Sequence, residues 1–280
     1  MRIAVLAAAL AFVAPAAAAK LDPLTTGSIG LARPAALRLP HALRPSLPLL
    51  ADWLATHRPL RGRTLAAATD ADIALQPKEV ILTFDDGPTT GLTDGVLKIL
   101  DDFGVKATFM MVGKMAELHP ESARAVALDG QTIGTHTYDH PNLAKLTPAA
   151  AFDEIQHGKD AVASVLAPIG AAPTQFFRFP YLAETWLLEA CLYVDGTIAL
   201  GVQIDSDDYF RESPQQMLKK MLARLDHEGR GIVLFHDIHA KTLLVLPQFL
   251  QALSDRGYTV VQLVAKKPSV FTEPVVTASR

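Results

Sequence analysis

Two adjacent aspartates and a closely spaced histidine pair are the residues of this sequence best suited to chemistry. Residues 83–88 read Thr-Phe-Asp-Asp-Gly-Pro, and residues 136–140 read His-Thr-Tyr-Asp-His. A helical turn in the second motif would place His136 and His140 on one face, because they are four positions apart. Two imidazoles and one carboxylate are typical protein ligands of a catalytic zinc ion, and they leave a position for water or substrate. The pattern therefore indicates a divalent metal site.

The neighbouring carboxylates of Asp85 and Asp86 can take different roles, because adjacent side chains after a strand point in different directions. One can bind the metal ion while the other faces the substrate as a base. Gly87 and Pro88 favour a turn that presents both. Taken alone, this motif is more typical of an acidic, solvent-exposed turn than of a functional site. The apolar, strand-like run that precedes it favours the functional interpretation.

Three further polar clusters follow apolar segments. Residues 178–181 read Arg-Phe-Pro-Tyr, residues 205–209 read Asp-Ser-Asp-Asp-Tyr, and residues 234–237 read Leu-Phe-His-Asp. Arg178 could hold a carboxylate through two parallel hydrogen bonds, an aspartate of 205–209 could orient a histidine, and His236 could transfer a proton. In isolation, Arg178 suits a surface salt bridge, residues 205–209 suit a solvated loop, and His236 suits a core histidine whose hydrogen bonds are satisfied. His239 is a weaker candidate for proton transfer than His236, because it lies in the loop that follows. Together with the metal motif, the clusters indicate a hydrolytic metalloenzyme.

Strand-like and helix-like segments alternate from Glu79 onward, and this alternation would bring the candidates together. We predict strands over 80–84, 108–112, 132–134, 175–178, 198–204, 231–235 and 258–263. We predict helices over 93–103, 120–128, 148–166, 184–192, 214–227 and 242–256. The alternation predicts an α/β fold with a parallel sheet and helices outside it. In a closed parallel sheet the carboxyl ends of all strands lie on one rim, where the candidates would share a pocket.

Composition limits the class of protein. The chain has 280 residues, of which 50% are hydrophobic, and this suits one large α/β domain. The net charge is -3 and no basic cluster stands out, which argues against a nucleic-acid partner. Cys191 is the single cysteine, so the chain cannot form an internal disulfide.

The first 19 residues have the pattern of a secretory signal. Arg2 is followed by the apolar run 3–13, and alanines occupy positions 17–19, after which we expect cleavage. An uncleaved membrane anchor is the alternative, although the run is short for a bilayer span. We therefore expect an exported protein, in a bacterial periplasm or outside the cell, with no stable membrane span after cleavage. Beyond the signal we expect a Pro/Ala-rich extension or linker over 20–76, the main domain over 77–266 and a tail over 267–280.

Taken together, the five clusters resemble the ordered motifs of the polysaccharide deacetylases, also called the NodB homology domain or carbohydrate esterase family 4. The resemblance covers about residues 79–263. It implies a distorted (β/α)7 barrel that removes N-acetyl groups from amino sugars of chitooligosaccharide, peptidoglycan or an exopolysaccharide. It also implies one divalent metal ion, usually Zn²⁺, with Co²⁺, Ni²⁺ or Mn²⁺ as alternatives.

The resemblance further implies a role for each matched residue. The metal ligands would be Asp86, His136 and His140. The general base would be Asp85, held by Arg178, and the general acid would be His236, held by Asp208 or alternatively by Asp205. The substrate contacts would be the backbone N–H of Tyr181, which would stabilise the oxyanion, and Leu234, which would line the acetyl pocket.

Two positions depart from the family pattern. Tyr209 stands where the fourth motif usually has tryptophan, and Leu182 stands where the third motif is usually followed by glycine. Both bear on the shape of the substrate site more than on the metal. The alternative functions are a catalytically silent glycan-binding protein and an amidohydrolase acting on a non-sugar amide. The glycan and the oligomeric state are left open by the sequence.

Overall fold

Strands and helices alternate along residues 60–266, the part of the chain that the computed structural model describes. Its strands are β1 Arg61–Ala67, β2 Glu79–Asp85, β3 Thr108–Met111, β4 Thr132–Thr135, β5 Phe176–Phe177, β6 Ile198–Ala199, β7 Ile204–Asp205, β8 Gly231–His236 and β9 Thr259–Ala265. Its α-helices are α1 Leu92–Asp102, α2 Gly113–Leu118, α3 Pro120–Leu128, α4 Pro148–Leu166, α5 Trp186–Val194, α6 Pro214–Glu228 and α7 Ala240–Asp255. The expected signal segment and tail lie outside these residues.

Every strand pair among the described residues is parallel. The sheet runs in the order β1-β9-β2-β3-β4-β5-β6, and β2 also pairs with β8, which pairs with β7. Within residues 60–266, β6 and β7 do not pair, so the curved sheet is interrupted there and the barrel is distorted. The predicted parallel α/β fold is confirmed.

The centre of the sheet is apolar because β2 and β8 are covered on both faces. Strand β2 is buried at every position after Glu79. The Phe84 ring stacks on Phe109 at 5.1 Å and on Phe235 at 5.6 Å between ring centroids. Each fully buried phenylalanine contributes about 2–3 kcal/mol. This packing gives the residues at the ends of β2 and β8 a rigid support.

Helix boundaries follow local capping signals. The Thr147 hydroxyl accepts the N–H of Ala150 at the start of α4, and Ser213 forms a capping box with Gln216 at the start of α6. Each cap stabilises its helix by about 1 kcal/mol. Among residues 60–266, no helix combines the length and hydropathy that crossing a bilayer would require.

Three elements differ from the sequence predictions. Strand β1 lies inside the segment expected to be an extension, and it pairs with β9. Only Leu65 and Ala67 are buried, whereas Arg61, Arg63, Thr64 and Ala66 are exposed, so the strand has too weak an apolar pattern to be recognised. The predicted strand 198–204 is two short strands, β6 and β7, with Gly201 between them. Helix α2 was not predicted.

Candidate active site

The carboxyl ends of neighbouring strands bring the predicted residues to one cavity. Asp85 and His236 are partners in the β2–β8 register, and paired strands lie about 4.8 Å apart. The cavity at this rim has a volume of about 400 Å³. The predicted site residues that line it are Asp85, Asp86, His136, His140, Tyr181, Tyr209, Leu234 and His236. Arg178 and Asp208 lie behind its surface and contact Asp85 and His236.

The Oδ1 atom of Asp86 is the centre of the predicted metal site. It lies 3.5 Å from Nε2 of His136 and 3.3 Å from Nε2 of His140. This oxygen is buried and has no hydrogen-bond partner among residues 60–266. A buried anionic oxygen without a partner is unfavourable, and a cation between the three atoms would satisfy it. One carboxylate and two imidazoles suit zinc and neighbouring divalent ions, so the residues fit the implied cofactor.

The protonation of these residues suits metal binding. Nδ1 of His136 lies 2.7 Å from the carbonyl oxygen of Arg178. A carbonyl only accepts, so Nδ1 carries the hydrogen and the lone pair of Nε2 faces Asp86. Burial and the neighbouring His136 lower the pKa of His140, which favours its neutral form. Burial acts to raise the pKa of Asp86, but the nearby histidines lower it to about 2.

The histidine loop is not the helical turn that the four-residue spacing suggested. Residues 136–140 form an irregular bend in which Thr137 and His140 have φ values of 65° and 56°. Asp86 also has a positive φ, 75°. Such conformations cost non-glycine residues about 1–3 kcal/mol and tend to cluster at functional sites. The imidazoles therefore converge through left-handed backbone rather than through helical periodicity.

Two side chains hold this loop in place. Thr137 Oγ1 accepts the N–H of His140 at 3.1 Å. From α4, Oε2 of Glu154 accepts the N–H groups of Tyr138 and Asp139 at 3.3 and 3.1 Å. These bonds satisfy backbone donors that the irregular bend leaves without partners.

The second carboxylate of the pair, Asp85, is held apart from the metal donors by Arg178. Oδ1 of Asp85 accepts a hydrogen bond from Nη1 of Arg178 at 2.7 Å, and both side chains are buried. The expected two parallel bonds are replaced by a single one, because Arg178 also donates to Thr83 Oγ1, Leu200 O and Gly201 O. Oδ2 of Asp85 remains near the cavity, 3.8 Å from Nε2 of His136. One oxygen is thus fixed while the other faces the site.

His236 is paired with Asp208 and not with Asp205. Nδ1 of His236 lies 2.6 Å from Oδ1 of Asp208, and the His236 backbone N–H donates to Oδ2 at 2.7 Å. The Thr242 hydroxyl donates to the same Oδ2 at 2.7 Å. Asp205 instead accepts the hydroxyl of Tyr209 at 3.1 Å.

The charge of His236 follows from this pairing. Burial acts to lower the pKa of His236, but the hydrogen bond and charge of Asp208 raise it to about 9. Burial acts to raise the pKa of Asp208, but His236 lowers it. Around neutral pH the pair is therefore an imidazolium and a carboxylate, and the imidazolium is a proton donor facing the cavity.

A tight turn after Pro180 forms the opposite wall. Tyr181 and Leu182 have φ values of 59° and 52°. Among residues 60–266 the Tyr181 N–H has no hydrogen-bond acceptor. Leu182 occupies a left-handed position in which glycine would be unstrained. The Tyr181 ring meets His140 edge-on at 4.7 Å.

Several contributing residues were missed or given no role in the sequence analysis. Thr83 and Thr242 hold Arg178 and Asp208. Thr83 begins the Thr-Phe-Asp-Asp-Gly-Pro motif but was given no role of its own, and Thr242 lies in a segment without a distinctive local pattern. Glu154 lies on a face of α4 that packs against the histidine loop, and only the fold shows that this helix and this loop are neighbours. Asp237 had a visible signal, its position directly after His236, but no function was assigned to it. Tyr209 lines the cavity as expected, with its ring edge-on to His236 at 5.5 Å.

Comparisons with known proteins find relatives in one family. The family model for polysaccharide deacetylase matches residues 72–190. A chitin deacetylase of Colletotrichum lindemuthianum is 31% identical over 215 residues, which cover 72% of this chain and 85% of that protein. A peptidoglycan-N-acetylglucosamine deacetylase of Listeria monocytogenes is 32% identical over 66% of this chain, but this match spans only 38% of that protein.

A solved structure has the same fold. The peptidoglycan deacetylase of Bdellovibrio bacteriovorus superimposes with a TM-score of 0.64 at 38% identity, over 76% of this chain and 58% of that chain. The relative from Colletotrichum lindemuthianum is matched over most of its length at more than 30% identity. By its sequence and its fold, this chain belongs to the polysaccharide deacetylase family.

Proposed function

We propose that this protein is a metal-dependent hydrolase that removes N-acetyl groups from amino-sugar residues of a glycan. The observation that carries the proposal is the convergence on one cavity of a metal donor set, a separate carboxylate and a charged imidazole. Relatives named as chitin, chitooligosaccharide and peptidoglycan deacetylases support this substrate class. The chain spans less than two thirds of some of these proteins, so the particular glycan belongs to the proposal as well.

The proposed reaction begins with water attacking the acetamide carbonyl. A divalent ion held by Asp86, His136 and His140 would supply a Lewis acid that polarises the carbonyl and makes water more acidic. Asp85 takes the proton from the attacking water through the oxygen that Arg178 does not hold. The N–H of Tyr181, free of other acceptors among residues 60–266, donates to the developing oxyanion.

Collapse of the tetrahedral species requires a proton on the leaving nitrogen, because an amide nitrogen leaves as a neutral amine and not as an anion. His236 donates this proton, and Asp208 stabilises its charged form before the transfer. Leu234 and Phe179 present apolar surface to the cavity, which suits the acetyl methyl group. The products are acetate and a free amino sugar.

Acetate release by the purified, zinc-reconstituted chain tests this proposal. Chitooligosaccharides, peptidoglycan fragments and small N-acetyl amides form the substrate panel, with cobalt, nickel and manganese as further metals. We expect acetate from at least one glycan and little from the small amides. Glycan binding without acetate release would instead support a silent binding protein, and preference for the small amides would support a non-sugar amidohydrolase.

An Asp85→Asn variant separates catalysis from metal binding. Removing the base should lower kcat by about 10²–10⁴-fold while zinc content stays that of the native protein. His140→Ala is the matched comparison, and it should lose zinc as well as activity. If Asp85→Asn kept most of its acetate release, the assignment of the base would be wrong.

We also propose that the protein is exported, since Arg2, the apolar run 3–13 and the alanines at 17–19 have the pattern of a cleaved signal. These residues lie outside the described part of the chain. N-terminal sequencing of the protein secreted by a bacterial host would test this, with a new terminus near Lys20 expected. An intact Met1 on the mature protein would contradict cleavage.

A further inference from the structure

A carboxylate that the proposed mechanism does not use lies directly behind the active site. Asp237 follows His236 at the end of β8 and is 2% exposed. Its Oδ1 accepts the N–H of Gly87 at 3.0 Å, and its Oδ2 accepts the hydroxyl of Thr93 at 2.6 Å. Among residues 60–266, no basic side chain pairs with it. Burying a carboxylate without a cation is unfavourable, and the hydrogen bonds from Gly87 and Thr93 offset part of this cost.

These hydrogen bonds join the two segments that carry the reacting groups. The N–H of Asp237 donates to the carbonyl of Asp85 at 3.3 Å. Thr93, which donates to the Asp237 carboxylate, accepts the N–H of Thr89 at 2.7 Å through the same hydroxyl. Asp237 therefore contacts the segment after β2 at three points. It bonds Asp85 where the strand ends, Gly87 within the turn, and Thr93, which in turn bonds Thr89 near the end of the turn.

The close approach of Asp237 explains the glycine in the Asp-Asp-Gly-Pro motif. A Cβ atom built on Gly87 would lie 2.2 Å from Oδ2 and 2.3 Å from Oδ1 of Asp237. These distances are far below van der Waals contact, so any side chain at Gly87 would push the carboxylate away. The requirement for glycine here is space. The turn and Asp237 are packed as a matched pair.

We propose that Asp237 is a positioning residue. It sets the distance between the end of β2, which carries Asp85 and Asp86, and the end of β8, which carries His236. Its carboxylate fixes the turn that carries Asp85 and Asp86 against the segment that carries His236. Asp237 does not line the cavity, so it acts through these neighbours and not on the substrate. The kinetic consequence rests on the proposed deacetylase function, whereas the effect on metal affinity does not.

The test compares Asp237→Ala, Asp237→Asn and the control Asp101→Ala, which changes an exposed aspartate. Zinc affinity is measured by competition with a coloured chelator, kcat and KM by acetate release, and folding by thermal melting. Supporting residues around metal ligands are typically worth about 10–100-fold in metal affinity or activity. We expect losses of that size in zinc affinity and kcat for Asp237→Ala, with KM little changed. Asp237→Asn keeps an oxygen acceptor for the Gly87 N–H and should recover part of both.

Native zinc affinity and kcat in Asp237→Ala, with only a lower melting temperature, would overturn the proposal. If that variant does not fold, Thr93→Val and Thr93→Ser decide, because serine keeps the hydroxyl that valine lacks. We expect weaker zinc binding in the valine variant, and equal binding in both would contradict the positioning role. Should the native protein bind zinc and release no acetate, the proposed function fails while the zinc comparison still tests Asp237.

Discussion

Asp85 and Asp86 are neighbours in sequence but are held in different chemical environments. Asp85 has one oxygen fixed by the buried Arg178, whereas Asp86 faces two imidazoles with an oxygen that lacks a hydrogen-bond partner within residues 60–266. The left-handed backbone of Asp86 separates the two side chains. One residue is thus suited to move a proton and the other to bind a cation. His236 completes the set, and its charge depends on one buried partner, Asp208.

Replacing Asp208 by asparagine should move the alkaline limit of activity to lower pH. Asp208 raises the pKa of His236, which reaches about 9, so removing its negative charge lowers that pKa. As the proposed general acid, His236 can donate a proton only while it is charged, so the falling limb of kcat/KM should begin at a lower pH in Asp208→Asn. The pH dependence of acetate release measures this shift. Asp205→Asn is the matched control, because Asp205 accepts a hydrogen bond from Tyr209 and not from His236. The falling limb of kcat/KM should stay at the native pH in this variant. An unmoved limb in Asp208→Asn would argue against His236 as the acid.

At the scale of elements, helix α4 supports the histidine loop that the short strand β4 leads into. Gly158 allows the helix to approach closely, since a Cβ atom there would lie 2.3 Å from the carbonyl carbon of Thr137. One turn earlier on the same face, Glu154 accepts two backbone N–H groups of the loop. The helix therefore stabilises the strained backbone that presents His136 and His140, although it contributes no side chain to the cavity.

Removing the Glu154 carboxylate should weaken metal binding without touching a ligand. Glu154→Ala leaves the N–H groups of Tyr138 and Asp139 without their acceptor, so the loop can relax away from its left-handed conformation. We expect zinc affinity to fall by about 10–100-fold, as for other residues that orient metal ligands. Glu154→Gln keeps one oxygen acceptor and should lose less. Asp153→Ala, a change of the preceding, exposed acid on the same helix, serves as the control in a chelator competition assay. If all three variants bound zinc as tightly as the native protein, the loop would keep its conformation without Glu154.

At the scale of the whole molecule, the sequence predicts the elements that have a recognisable local pattern, such as an apolar strand that ends in polar residues. The rim of the site was predictable because apolar runs such as β2 and β8 end in polar residues, and parallel strands share one rim. Contacts between distant segments, such as those of Thr242 and Glu154, leave no local pattern and required the fold. Strand β1, at the edge of the sheet, was missed because only two of its residues, Leu65 and Ala67, are buried, while four of the others are exposed. A helical turn was one way to bring the histidine pair together, and left-handed residues produce the same convergence instead.

The structure separates residues that stabilise the barrel from residues that form the site, and β1 tests this division. Leu65 is 7% exposed and packs in a cluster with Ile81, Val261 and Leu263, while no residue of β1 lines the cavity. Leu65→Ala should lower the free energy of unfolding by about 2–3 kcal/mol, through lost burial and the space left behind. Thr64→Ala, at the exposed neighbouring position of the same strand, should change it by less than about 0.5 kcal/mol. Denaturant unfolding measures both, and zinc affinity and kcat of the folded variants should equal those of the native protein. A loss of kcat in Leu65→Ala under conditions where it is fully folded would show that β1 also shapes the site.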